Sequence, residues 1–198
     1  MKKNKILGMT LIAISIMLPI ANYLLGIYTS KVKENKIIYY METTSIDNES
    51  SPIIKPVLDN GKDNYTAILE IPSISLKKGL VNVDNKYNDV EYNIAILETS
   101  QMPDVKNSNL ILASHNGNSN VSFFKDLEKL STGEYAYIYY NGCKYIYKIA
   151  NYYIVKKTGK LNITRDKTKN TLTLITCKND SDTEQIIYIG YLVNKEIY

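Results

Sequence analysis

Tryptophan is absent from the 198-residue chain, histidine and arginine occur once each, and cysteine occurs twice. Two cysteines cannot build a disulfide framework. One histidine with two distant cysteines cannot complete a zinc set, so no metal is expected from ligand spacing. Five prolines and nine glycines exclude a collagenous or proline-rich chain. A strong basic field is missing too: Lys plus Arg number 24 against 20 Asp plus Glu, and Lys2, Lys3 and Lys5 stand apart at the start. The remainder is close to neutral, which argues against nucleic acid as a partner. What is abundant is tyrosine, with 18 residues. Together with many Ile and Thr it favours strands, because aromatic and β-branched side chains suit a half-buried pleated surface. The length allows one domain of the usual ~100–150 residues with a segment to spare.

That segment is N-terminal. Ile6 to Tyr28 are uncharged and mostly apolar, directly after the three lysines. As a helix this run is ~34 Å long, enough for a ~30 Å hydrocarbon core. A cleavable signal would have a shorter apolar region and end in a small-x-small site, which is not found here. Residues 1–28 are therefore expected to be a cytoplasmic basic start and a single-pass transmembrane anchor. Lys31, Lys33 and Lys36 blunt the charge asymmetry, but long following domains translocate largely regardless of charge. The expected location is the cell membrane, with the rest of the chain outside. Residues 29–64 are polar, with turn signals in ETTSIDNESSP and LDNGKDN, and are expected to form an extracellular stalk.

From Tyr65 onward, short apolar runs alternate with turn residues, the pattern of an all-β domain over 65–198. Candidate strands are YTAILEI (65–71), SISL (73–76), GLVNV (79–83), IAIL (94–97), NLILAS (109–114), YAYIYY (135–140), KYIYKIANYYIV (144–155), TLTLIT (171–176) and QIIYIGYLV (185–193). Asn141-Gly142 is a two-residue hairpin signal. Ser122 could cap a helix whose Phe123, Phe124, Leu127 and Leu130 share one face. Eight or nine strands are better closed into a barrel than left with long unpaired edges.

Two residues could do chemistry together. His115 follows the apolar run NLILAS and precedes the turn-like NGNSN, while Cys177 ends TLTLIT and opens the polar KNDSD. Each alone reads as an inert strand-end histidine or a small buried hydrophobe. As a pair they suggest a thiol nucleophile assisted by an imidazole. Cys143, after the Asn-Gly turn, is read as an incidental thiol.

These residues carry a family resemblance. TLTLITC (171–177) is similar to the TLxTC signature of the sortases, Gram-positive cysteine transpeptidases, with the cysteine last. LILASHNGNSNVSFFKDLEKLSTGE (110–134) resembles their catalytic-histidine segment, and LEIPSISLKKGLV (69–81) their entry strand. The resemblance spans roughly Tyr65 to Val193, and an N-terminal anchor is typical of the family. The 62 residues between His115 and Cys177 suit the compact classes that lack an inserted helix before the cysteine strand. The fold implied is mainly β, a closed eight-stranded sortase-like barrel with short helices, preceded by one transmembrane helix. Sortases also carry an arginine on the strand after the cysteine, where it stabilises the substrate carbonyl. Here the matching position is Gln185, and the sole arginine, Arg165, lies in a loop upstream of Cys177. Gln185 and Arg165 are thus the candidates for positioning that carbonyl. The first is a neutral donor and the second reads as a solvated loop charge; Lys178 is another nearby cation.

The resemblance implies a membrane-anchored enzyme in which Cys177 attacks a sorting motif of an exported protein and His115 acts as acid and then base. The acyl group would pass to an amine of a lipid-linked peptidoglycan precursor or a pilin lysine. The alternative is an inert membrane-tethered barrel that binds peptides, having lost the arginine. No cofactor is implied. Calcium serves some relatives, but no spacing of Glu98, Asp104 or Asp126 marks a site for it.

Overall fold

The computed structural model describes residues 2–45, 61 and 64–198, with side chains from residue 13 onward. Helix α1 (Lys2–Thr44) continues through Pro19 and past the apolar run. It is long and apolar enough to cross a membrane. The segment read as the start of the stalk is helical as far as Thr44, and the cause is simple. SKVKENKIIYYMETT contains no Pro or Gly, and adding a residue to an existing helix is far easier than nucleating one. Most of the remaining stalk, 46–60 and 62–63, lies outside the described residues.

The chain divides into one unit ending at Tyr39 and a second over Tyr40–Tyr198. Within the second, Tyr40 Oη donates to the Thr66 carbonyl at 2.6 Å, and Thr44 Oγ1 lies 2.8 Å from Tyr198 Oη.

Eight strands follow: β1 (Tyr65–Ile71), β2 (Leu76–Val81), β3 (Ala95–Ile96), β4 (Asn109–Ala113), β5 (Tyr135–Tyr140), β6 (Cys143–Lys156), β7 (Thr171–Cys177) and β8 (Glu184–Ile197). Two expected runs, SISL and GLVNV, merge into β2. Pro72–Ile74 forms a 3-10 turn that Ser75 ends with a left-handed φ of 53°, so the strand starts at Leu76. The hairpin between β5 and β6 is the one read from Asn141-Gly142: both residues have positive φ, 49° and 69°, as a type I′ turn requires.

The strands form one sheet in the order β2-β1-β5-β6-β8-β7-β4-β3. It is a nearly closed barrel rather than the fully closed one expected. No ladder joins β2 to β3; instead, the buried Asn93 side chain donates from Nδ2 to the Gly79 carbonyl at 3.3 Å across the seam. Every pairing is antiparallel except β4 with β7, where Asn109 to Ala113 lie beside Thr171 to Ile175. Parallel strands are characteristically covered on both faces, and these two are. Leu110, Leu112, Leu172 and Leu174 enter the barrel core. Ile111 and Ile175 join Ile187 and Ile189 in a cluster on the outer face, with Leu161 and Ile163 of the β6–β7 connection packed against it.

The helix expected after Ser122 is instead a run of turns with one 3-10 turn, Leu127–Lys129. Its apolar face is real, since Phe124, Leu127 and Leu130 are buried in the core. The backbone instead closes a series of three-residue turns, with Leu127 N donating to the Phe124 carbonyl at 3.0 Å and Leu130 N to the Leu127 carbonyl at 2.9 Å, while Phe124 N donates to the His115 carbonyl at 3.0 Å.

At Gly79 a Cβ would stand 2.4 Å from the Tyr65 ring, which is itself buried. Gly79→Ala is expected to cost about 1–3 kcal/mol through forced displacement of that ring. Thermal unfolding of the detergent-solubilised chain measures it; an unchanged Tm would mean the ring moves freely.

Candidate active site

Side-chain parity decides which residues meet. In β4 and β7 the odd positions Ile111, Ala113 and Ile175 face the outer cluster, while the even leucines face the core. The pairing continues one step beyond β4, because Ser114 N donates to the Ile175 carbonyl at 3.2 Å and Thr176 Oγ1 donates to the Ser114 carbonyl at 2.8 Å. The same register, carried on past the end of β4, would set His115 level with Cys177 on the outer face. Asn116 fastens the two ends: its Nδ2 donates to the Cys177 carbonyl and, at 3.0 Å, to Asn179 Oδ1. Glu128 of the 3-10 turn accepts from Asn179 N, holding the loop that follows Cys177.

On the other side of Cys177 stands Gln185, its direct partner in the β7–β8 ladder. Lys178 N donates to the Glu184 carbonyl at 3.1 Å. Pairs alternate in an antiparallel ladder, so Cys177 and Gln185 form the non-hydrogen-bonded kind, with Cα atoms about 4.5 Å apart and side chains close. Directly paired residues share a face. Cys177 and Gln185 thus share a face on β7 and β8, and His115 follows two residues after the end of β4 on the other side of β7.

The thiol is partly exposed. It forms part of the wall of a cavity of about 530 Å³ lined otherwise by polar residues, among them Asn116, Asn118, Lys157, Asn179 and Asp182. His115 is 39% exposed and its Nε2 lies 3.1 Å from Glu91 Oε1, a carboxylate brought in by the β2–β3 loop.

The other residues singled out from sequence lie elsewhere. Arg165 is at the far end of β7 from Cys177, about 20 Å away by strand rise. Nor is it a solvated loop charge. Its guanidinium donates to the carbonyls of Lys169 and Asn107 and to Thr171 Oγ1, at 3.2, 3.3 and 3.3 Å, joining the approaches to β4 and β7. The Lys178 ammonium rests on the Asn179 carbonyl at 3.4 Å. Cys143 is buried at the start of β6, whereas Gln185 pairs with Val155 near that strand's other end. The intervening ~35–40 Å far exceeds the ~7 Å limit for bridging Cα atoms, so the two thiols cannot form a disulfide within this fold. Among the described residues no three His, Cys, Asp or Glu side chains gather as a metal-ligand set. Asp126 pairs with Lys129 at 2.8 Å, and that hydrogen bond holds its carboxyl below the usual carboxylate range.

Sequence reading missed Asn116 and Glu91. An Asn beside His115 was visible as a turn residue, but its partners lie 61 and 63 positions away. Glu91 carries no local signal at all.

A family model for the sortase domain matches residues 69–193. Among solved structures, the fold is similar to sortase C1 from Streptococcus agalactiae, with 23% identity over 83% of this chain and 90% of that one, TM-score 0.59. It is similar also to a Clostridium perfringens sortase D5 transpeptidase, with 21% identity over 83% and 99%, TM-score 0.61. Listeria monocytogenes sortase A gives 19% identity over 68% and 90%, TM-score 0.57. No curated protein sequence matches the chain.

Proposed function

Because the chain belongs to the sortase family, whose enzymes are transpeptidases, we propose that its barrel cleaves a C-terminal sorting motif of exported proteins and passes the acyl group to an amine. The observation that supports this reading is the pairing of Cys177 with Gln185 at the end of β7, next to the end of β4 from which the chain runs on to His115. The Cys177 thiolate attacks the carbonyl carbon of the scissile peptide bond, forming a tetrahedral intermediate whose oxyanion accepts a hydrogen bond from the Gln185 amide. The intermediate collapses, the C–N bond breaks, and imidazolium His115 gives its proton to the departing amine. A thioester is left on Cys177. The acceptor amine attacks that thioester, neutral His115 takes the amine's proton, and Cys177 leaves as thiolate. The acceptor is a lipid-linked peptidoglycan precursor or a pilin lysine.

The test is hydroxylamine, a small amine that intercepts the thioester. The full-length chain in detergent, given peptides bearing candidate sorting motifs, should release peptidyl hydroxamate in proportion to enzyme. Peptide binding with no hydroxamate from any motif would favour an inert barrel instead, since Gln185 is uncharged where relatives have arginine.

We propose further that the apolar helix anchors the chain with Lys2, Lys3 and Lys5 on the cytoplasmic side and this chemistry outside the cell. After wall removal, protease added to intact cells should therefore digest the barrel. Full protection of the barrel would reverse the orientation.

A further inference from the structure

We propose that Glu91 is a positioning residue for His115: it accepts a hydrogen bond from Nε2–H and so leaves Nδ1 as the nitrogen that exchanges protons during acyl transfer. This rests on the acid–base role given to His115 above. A carboxylate can only accept, so the 3.1 Å contact puts the imidazole proton on Nε2. The ring nitrogens then differ, one held by the protein and the other available to the substrate amine.

The carboxylate is exposed, but the loop that presents it is built to hold it. Asp89 caps the turn, its Oδ1 accepting from Glu91 N at 2.9 Å and its carbonyl from Asn93 N at 2.8 Å. Asn93 is 2% exposed and bridges to Gly79 of β2. Asn88 grips β3 twice, accepting from Ile96 N at 2.7 Å and donating to the Ile96 carbonyl at 2.8 Å. The loop is thus pinned to both edge strands of the barrel. It delivers one acidic side chain to the single histidine of the chain.

That uniqueness makes the test direct. In full-length protein labelled with ¹⁵N at histidine, in detergent micelles, the imidazole spectrum reports His115 alone. Wild type should show the neutral ring protonated at Nε2 throughout. Glu91→Ala should give a mixture of Nε2–H and Nδ1–H forms, and Glu91→Gln, whose amide oxygen still accepts, should resemble wild type. In the hydroxylamine assay Glu91→Ala should lower kcat about twofold to fivefold, the scale of an exposed ion pair, with KM unchanged and Glu91→Gln intermediate. Mixed tautomers in wild type would overturn the proposal, as would Glu91→Ala turning over as fast as wild type or faster. Wild type that cleaves no peptide would instead remove the transpeptidase reading, with the ring spectrum still deciding whether Glu91 fixes the imidazole.

Discussion

Cys177→Ala should abolish hydroxamate release, a loss of at least about 10⁴-fold, while Cys143→Ala keeps most of the activity. The asymmetry follows from place. Cys177 ends β7 and lines a polar cavity, so its sulfur is reachable, and the proposed proton partner His115 lies just beyond the end of the neighbouring β4. Cys143 is buried at the start of β6, at the other end of the long β6–β8 ladder. No local rearrangement exchanges their roles across that distance. Mass spectrometry of protein incubated with peptide alone gives a second reading, since the acyl adduct should map to the peptide containing Cys177. Equal losses from the two alanine variants would mean that Cys143 supports the fold of the site. Activity in Cys177→Ala would remove the mechanism.

Gln185→Ala should lower kcat by roughly 100-fold or more with a smaller effect on KM, because loss of one oxyanion donor costs about 2.7–4 kcal/mol of transition-state stabilisation. The neutral amide makes a hydrogen bond about half as strong as a charged donor would. Its placement opposite Cys177 in a close, non-hydrogen-bonded pair supplies the proximity. Gln185→Arg discriminates further: a faster enzyme identifies the amide as a weaker substitute, and a slower one identifies a pocket shaped around glutamine. Arg165→Ala should behave in the opposite sense. The guanidinium bridges the approaches to β4 and β7, so its removal should lower Tm and leave kcat within a few fold. A silent Gln185→Ala together with an inactive, fully folded Arg165→Ala would show that the carbonyl is held from the other loop.

Much of this arrangement is legible in the residues. Apolar runs bounded by turns mark nearly every strand, and Asn141-Gly142 marks a hairpin with the correct loop length because only particular residues accept two positive φ values. The placement of His115 and Cys177 at the ends of such runs is equally visible. Their pairing is not, since a parallel neighbour is set by the whole sheet rather than by any short segment. Phe123 to Leu130 illustrate the converse. Their spacing announces a buried face, which exists, yet a series of three-residue turns presents it in place of the helix. The helical turns of SKVKENKIIYYM are legible but their end at Thr44 is not, because the period is indistinct, and Glu91 is hidden by a partner 24 residues distant.

The parallel pairing of β4 with β7 also bears on how the protein reaches its native state. Residues 62 apart must meet before His115 faces Cys177, and that contact closes a long loop against its entropy. A barrel dominated by such distant pairings belongs among domains that fold in milliseconds to seconds rather than microseconds. No hairpin or helix within the barrel contains both reacting residues, so no early local intermediate can be active. Recovery of hydroxamate release after dilution from denaturant should accordingly lag behind the return of β-sheet circular dichroism and never precede it.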